Sequence, residues 1–245
     1  MSGTVRFLEV EILEALSAVT DPELDEPITD LGFVRSVAVD DGGVTVYLRL
    51  PTAFCLPDVA YLMASDARDA LREVEGIGQV QVLLDEHYDG AEINAGLAGA
   101  ADDADSFAAG AEHRLEELRR RYLREAHSAA MERCVSVLMQ LQALDIGDVP
   151  RLTLRNLPDD QAKHALLRRR LALGLSMCSN ARVAVDGEGK PLPLEQLSAS
   201  LRLARSVRIS MEGGARFCRD SLAGRDDGAG SRVRVTNTRT GSRQR

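Results

Sequence analysis

The chain reads as an α+β module in the order αββαβ with a three-stranded mixed sheet. A mainly helical module and a disordered basic tail follow it. Three observations predict this: alternating apolar segments followed by helical spacing in the first third, 3.6-residue periodicity through most of the remainder, and a reversal of charge between the two. Residues 1–108 carry 22 Asp/Glu against 5 Lys/Arg, a balance of −17, whereas residues 109–245 carry 16 against 25, a balance of +9. The two sum to the −8 of the whole chain. An asymmetry of this size marks two modules.

The first module begins with a helix over residues 5–19, where Val5, Leu8, Ile12, Leu16 and Val19 form one stripe. Asp21-Pro22 stops it, because proline disfavours helical geometry in the residue before it. A long acidic loop follows, and then residues 33–40 and 44–50 alternate as two strands around the turn Asp41-Gly42-Gly43. A helix over 56–74 ends at Gly76, and a strand over 79–84 closes the module. The strands near Leu50 and Val80 are joined by one helix and must therefore run parallel. Their C-terminal ends share an edge with the start of the hairpin partner. The loops around 21–30, 52–57 and 85–89 are thus expected to converge.

Cys55 lies in that convergence, where a strand ends and a helix begins. Free backbone N–H groups at a helix N-terminus favour a thiolate in general, the form that ligates metals. A lone cysteine between Phe54 and Leu56 is equally well read as a small buried hydrophobe. His87, with Glu86 and Asp89, offers hard ligands suited to non-haem iron, or is simply a solvated loop histidine.

The segments VTDPELDEPITDLGFVRSVAVD, LPTAFC and VEGIGQVQVLL together resemble the iron–sulfur assembly domain of the PaaD and SufT proteins and the eukaryotic cytosolic iron–sulfur targeting factor. The resemblance covers residues 5 to about 85. It implies the αββαβ layout and a role in delivering iron or iron–sulfur clusters to client enzymes. It maps the family's reactive cysteine to Cys55, with Thr52 beside it as a cofactor-binding position, and the acidic loop to Asp21, Glu23 and Asp30. The family carries threonine four residues before the cysteine and proline directly after it. Here Pro51 and Leu56 stand in those places, with Thr52 and Pro57 displaced by one. The segment DEHYDGAEIN replaces an aromatic-proline stretch and adds His87 to the set expected to hold metal. One cysteine cannot hold a cluster, which takes four protein ligands in the common case. The remainder must come from a second subunit in a homodimer, an exogenous thiol or the client.

Residues 91–110, small, acidic and glycine-dotted, read as a linker. Residues 111–222 read as a helical domain, with helical patterns over 111–144, 159–177 and 194–211. His127 and Cys134 lie seven apart on one helix face, and with Cys178 and Cys218 they read either as a metal site or, since no close-spaced pair is present, as buried, inert cysteines. Arg119–Arg121 and Arg168–Arg170 are basic clusters without aromatic interleaving, which disfavours nucleic acid and suits an acidic protein surface. Residues 223–245, poor in apolar groups, read as disordered. Scattered cysteines, no apolar run long enough to span a bilayer and an acidic amphipathic N-terminus predict a cytoplasmic protein.

The function expected is that of a maturation factor, not an enzyme, carrying iron or a cluster through Cys55 to a client metalloenzyme. Similarity to accessory factors of bacterial di-iron hydrocarbon monooxygenases suggests the client class. The alternative is a metal-free, client-specific chaperone that keeps the fold and a vestigial thiol. An enzyme with a Cys55 nucleophile ranks last, since His87 is its one evident base.

Overall fold

A computed structural model describes residues 2–99, 106–225 and 233–239. The chain divides into two compact units, one of residues 1–115 with 214–245 and one of residues 116–213.

The first unit opens with α1 (Ser2–Ser17), whose Leu8, Ile12 and Leu16 are buried at helical spacing. The acidic segment is not an open loop. Strands β1 (Thr20–Asp21) and β2 (Glu26–Pro27) pair antiparallel into a tight ribbon, and Asp25 takes a positive φ at its tip. Ile28, Leu31 and Phe33 then anchor it in the core. Strands β3 (Val34–Val39) and β4 (Gly43–Arg49) form the expected hairpin, whose turn is held by Asp40 Oδ1 accepting from the Gly42 and Gly43 amides at 2.8 and 3.0 Å. Helix α2 (Pro57–Arg72), with proline at its first turn, buries Val59, Leu62, Met63 and Leu71. Strand β5 (Gln79–Asp85) runs parallel to β4 from Gly43↔Gln79 to Arg49↔Asp85, as the single-helix crossover requires. At Gly43 the strands approach so closely that a Cβ would lie 2.0 Å from the Gln79 carbonyl oxygen.

Two features depart from the sequence reading. The stretch read as a linker begins with a helix, α3 (Gly90–Gly99), which contacts β5 and buries Ile93 and Leu97 one turn apart. Residues 100–105 of that stretch lie outside the described residues. Within the segment read as a disordered tail, β6 (Arg234–Asn237) adds to the sheet parallel to β3, giving the order β5-β4-β3-β6. Backbone pairing to β3 and Arg239, which donates to the carbonyls of Asp40, Gly76 and Ile77, hold this strand.

The second unit is helical. Long helices α4 (Ser106–Gln142) and α6 (Leu194–Ala223) contribute to it, with the shorter α5 (Gln161–Ala172) between them. Met131, Cys134, Val135 and Leu138 of α4 pack with Leu166 of α5, Leu197 of α6 and intervening Val149, Leu154 and Val183. Asp160 caps α5 by accepting from the Lys163 amide at 2.9 Å. The last residues of α6, from Gly214 on, belong to the first unit, so the helical domain read as 111–222 is not continuous. No helix among the described residues is long and apolar enough to cross a membrane.

Candidate functional site

The parallel β4–β5 pair and the start of β3 bring the three expected loops to one edge of the sheet. Cys55 sits two residues before the first residue of α2 and is half-buried. The loop around it is held from two sides. The Thr52 hydroxyl lies 3.5 Å from the Cys55 sulfur and accepts from the Phe54 amide at 3.4 Å. On the other side, the Tyr88 amide donates to the Ala53 carbonyl at 2.9 Å, and His87 Nε2 lies 2.9 Å from the Cys55 carbonyl oxygen. The Asp89 amide donates to His87 Nδ1 at 3.1 Å, which makes Nδ1 the acceptor and Nε2 the N–H donor to Cys55. Both ring nitrogens are engaged within the protein. The Nε2 contact ties the histidine to the cysteine loop.

Around the thiol the surface is apolar. Phe54, Leu56 and Tyr88 are 80%, 55% and 78% exposed, and the Phe54 and Tyr88 rings lie 6.0 Å apart between centroids. The reading of Cys55 as a hydrophobe buried between Phe54 and Leu56 does not describe this loop, because both neighbours face solvent.

The acidic residues are not equivalent. Asp21 is 5% exposed, and its Oδ1 accepts from the Glu23 and Leu24 amides, each at 2.8 Å. Burial pushes its carboxyl up to about 6, against the opposing pull of those two N–H groups; the charge of Glu23 adds to the rise. Glu23 is half-buried on the same ribbon, whereas Asp30 is exposed in the next turn, 3.5 Å from the Thr29 hydroxyl that donates to it. Among the described residues, no group of three or more His, Cys, Asp or Glu is gathered closely enough to hold a metal ion. The set Cys55, Asp21, Glu23, Asp30 and His87 is therefore not assembled as a ligand cage.

A contribution the sequence did not disclose comes from the end of α6. Arg219 pairs with Glu26, the Ser221 hydroxyl donates to the Pro51 carbonyl at 3.4 Å, and Arg225 pairs with Glu86 at 3.1 Å while also donating to Pro51. Cys218, on the same turns, is 8% exposed. Burial pushes its thiol up to about 11, with further contributions from the charges of Asp21 and Cys55. The sequence reading ended this helix at Met211, whereas α6 runs on to Ala223 and buries Ala215, Cys218 and Leu222.

Residues 9–84 match the family model described as iron–sulfur cluster assembly protein. The chain is 35% identical over 85 residues to an uncharacterized protein of Methanocaldococcus jannaschii, covering 34% of this chain and 87% of that one. It is 37% identical over 79 residues to an iron–sulfur cluster carrier protein of Mycobacterium leprae, and 41% identical over 87 residues to that of Mycobacterium bovis. These matches cover 32% and 35% of this chain, and 20% and 22% of the two carriers, so the chain spans about a fifth of their length. No solved structure matches the chain. The match to most of the archaeal relative, together with the family model over residues 9–84, shows that the chain belongs to the iron–sulfur cluster assembly family.

Proposed function

We propose that the protein is a carrier that takes iron or an iron–sulfur cluster as cargo on Cys55 and passes it to a client metalloenzyme. The observation that carries this reading is the setting of the thiol. A half-buried cysteine, braced by Thr52 and His87, stands at the sheet edge within a collar of exposed Phe54, Leu56 and Tyr88. Such a collar suits transient docking of a protein partner, since isolated apolar side chains are common on surfaces but a cluster marks a contact site. The family membership and the carriers' printed names support cargo of this class.

One thiol supplies a quarter of the protein ligands a cluster normally takes. That shortfall favours loose holding and transfer over permanent storage. Cargo binding requires the thiol to lose its proton to solvent, so retention should weaken as pH falls. Asp21 sits near this edge as a shaping group, fixing the acidic ribbon through its two amide contacts. The proposed client class, from the sequence resemblance, is a di-iron monooxygenase.

The test is anaerobic reconstitution of the full chain with Fe(II) and sulfide, followed by desalting and metal analysis. Wild type should retain iron, and Cys55→Ser should retain no more than background while keeping its circular dichroism spectrum. Equal retention by Cys55→Ser overturns the carrier reading and leaves a metal-free, client-specific chaperone that docks through the same apolar collar.

A further inference from the structure

We infer that Cys218 is a second cargo ligand, so that Cys55 and Cys218 together present a two-thiol site built from segments 163 positions apart in the sequence. This deepens the carrier reading and rests on it. The inference stands on how the end of α6 is fixed against the Cys55 edge. At Gly214 the helix comes so close to the acidic ribbon that a Cβ would lie 2.7 Å from Leu24 Cδ2. Arg219 is tied to Glu26, Ser221 to the carbonyl of Pro51, and Arg225 to Pro51 and Glu86. Glu26 belongs to the ribbon, Pro51 lies four residues before Cys55, and Glu86 lies next to the His87 that holds Cys55.

Ala215, Cys218 and Leu222 are buried at spacings of three and four, which places them on one helix face. Leu222 lies on the acidic segment beside Gly32. Cys218, one turn earlier on that face, is within electrostatic reach of both Cys55 and Asp21. Among the described residues, no hydrogen bond engages its sulfur. The thiol is therefore held and buried on a helix end that is tied to the carbonyl of Pro51, four residues before Cys55.

Two thiolates supply half of a cluster's ligand set and leave two positions open to an exogenous thiol or to the client. A site of that kind retains its cargo more firmly than one cysteine does, yet can be emptied by ligand exchange at the open positions. Each thiol that binds releases one proton to solvent, and no electron transfer is involved. The cargo chemistry recognised is that of a thiophilic metal, either an iron ion or the iron edge of a cluster.

The full chain is titrated with Cd(II) under reducing, anaerobic conditions, because thiolate-to-metal charge-transfer absorption counts the sulfurs bound. Wild type should bind one equivalent with the intensity of two thiolates. Cys218→Ser and Cys218→Val, the latter preserving apolar volume in the buried position, should each lose about half of that intensity and bind at least about tenfold more weakly. Cys178→Ser should match wild type. Parallel loading with Fe(II) alone and with Fe(II) plus sulfide separates ion from cluster, and retention of whichever is held should fall in both Cys218 variants. If both bind Cd(II) as wild type does while Cys55→Ser does not, Cys218 is no ligand and this inference fails alone. If Cys55→Ser also binds as wild type does, the carrier reading falls with it.

Discussion

Asp21 in the sheet unit and His127 in the helical unit are each buried at the expense of their charged form, and the two respond to pH in opposite senses. In the sheet unit, Asp21 has its carboxyl raised from 3.8 to about 6 by burial. In the helical unit, His127 of α4 is fully buried, and neither ring nitrogen has a hydrogen-bond partner. Burial, reinforced by Arg170 and Arg169 and opposed by Asp186, lowers its pKa from 6.5 to about 4. Between about pH 4 and 6 the folded sheet unit binds a proton on Asp21 that the unfolded chain does not, so its stability rises on acidification. Over about pH 6.5 to 4 the unfolded chain protonates His127 where the folded unit does not, so the helical unit loses stability on acidification. The difference teaches where polar groups are tied down and where they are left over. Asp21 is held by two backbone amides in the acidic ribbon, whereas His127 lies buried in the helical unit with neither ring nitrogen paired.

The comparison breaks most severely at Arg170. Its guanidinium is 2% exposed and donates to the Ser176 and Arg182 carbonyls at 2.9 and 3.0 Å. Arg170→Ala would leave a cavity and two orphaned acceptors, costing on the order of 3–5 kcal/mol. Hydrogen exchange should show the loss across residues 126–185 and leave residues 20–85 protected.

A smaller effect separates the two pH responses. Between pH 7 and 4, His127 should withdraw about 3 kcal/mol from the helical unit, and His127→Leu should abolish that part of the acid sensitivity. Unfolding monitored unit by unit with hydrogen exchange reads this directly. Asp21→Asn keeps an acceptor for the Glu23 and Leu24 amides but removes the buried charge. It should stabilise the sheet unit by about 2–3 kcal/mol at pH 7, with the gain fading toward pH 4. A gain that grows on acidification would reverse the sign argued for Asp21.

The smallest change sharpens the sheet unit alone. Arg219 and Glu26 form a partly exposed ion pair, so Arg219→Ala should cost no more than about 1 kcal/mol in the denaturant midpoint, and less at high salt. A larger loss would mean that the end of α6 depends on this contact more than on Ala215 and Leu222.

Much of the site's frame was legible because it follows from local rules. The single-helix crossover between β4 and β5 puts the loops at Cys55 and His87 on one edge whatever the packing details. Helix α3 was missed because its alanines and glycines read as linker, although Ile93 and Leu97 one turn apart are a helix signal. Strand β6 carries only the short alternation of Val233 and Val235 with Arg234 and Thr236, set in a Gly-, Ser- and Arg-rich stretch, and its partner β3 lies about 200 positions away. The Arg168–Arg170 run read as one basic surface, yet Arg170 points into the core to satisfy carbonyls. That assignment depends on a fold, not on neighbours in sequence. His87 was read as a hard ligand or a solvated loop histidine; its contacts to the Asp89 amide and the Cys55 carbonyl come from the fold and not from residue type. Cys218 meets the Cys55 edge through tertiary contact alone.

Cysteine footprinting tests the central claim most directly. The full chain is alkylated anaerobically before and after loading with Fe(II) and sulfide, and each cysteine is followed by peptide mass. Cys134, 3% exposed with its thiol raised by burial, should label slowly in both states, and exposed Cys178 should label in both. The carrier account predicts that Cys55 labels in the empty protein and is protected in the loaded one. Iron that loads while Cys55 remains as open to alkylation as before would contradict it.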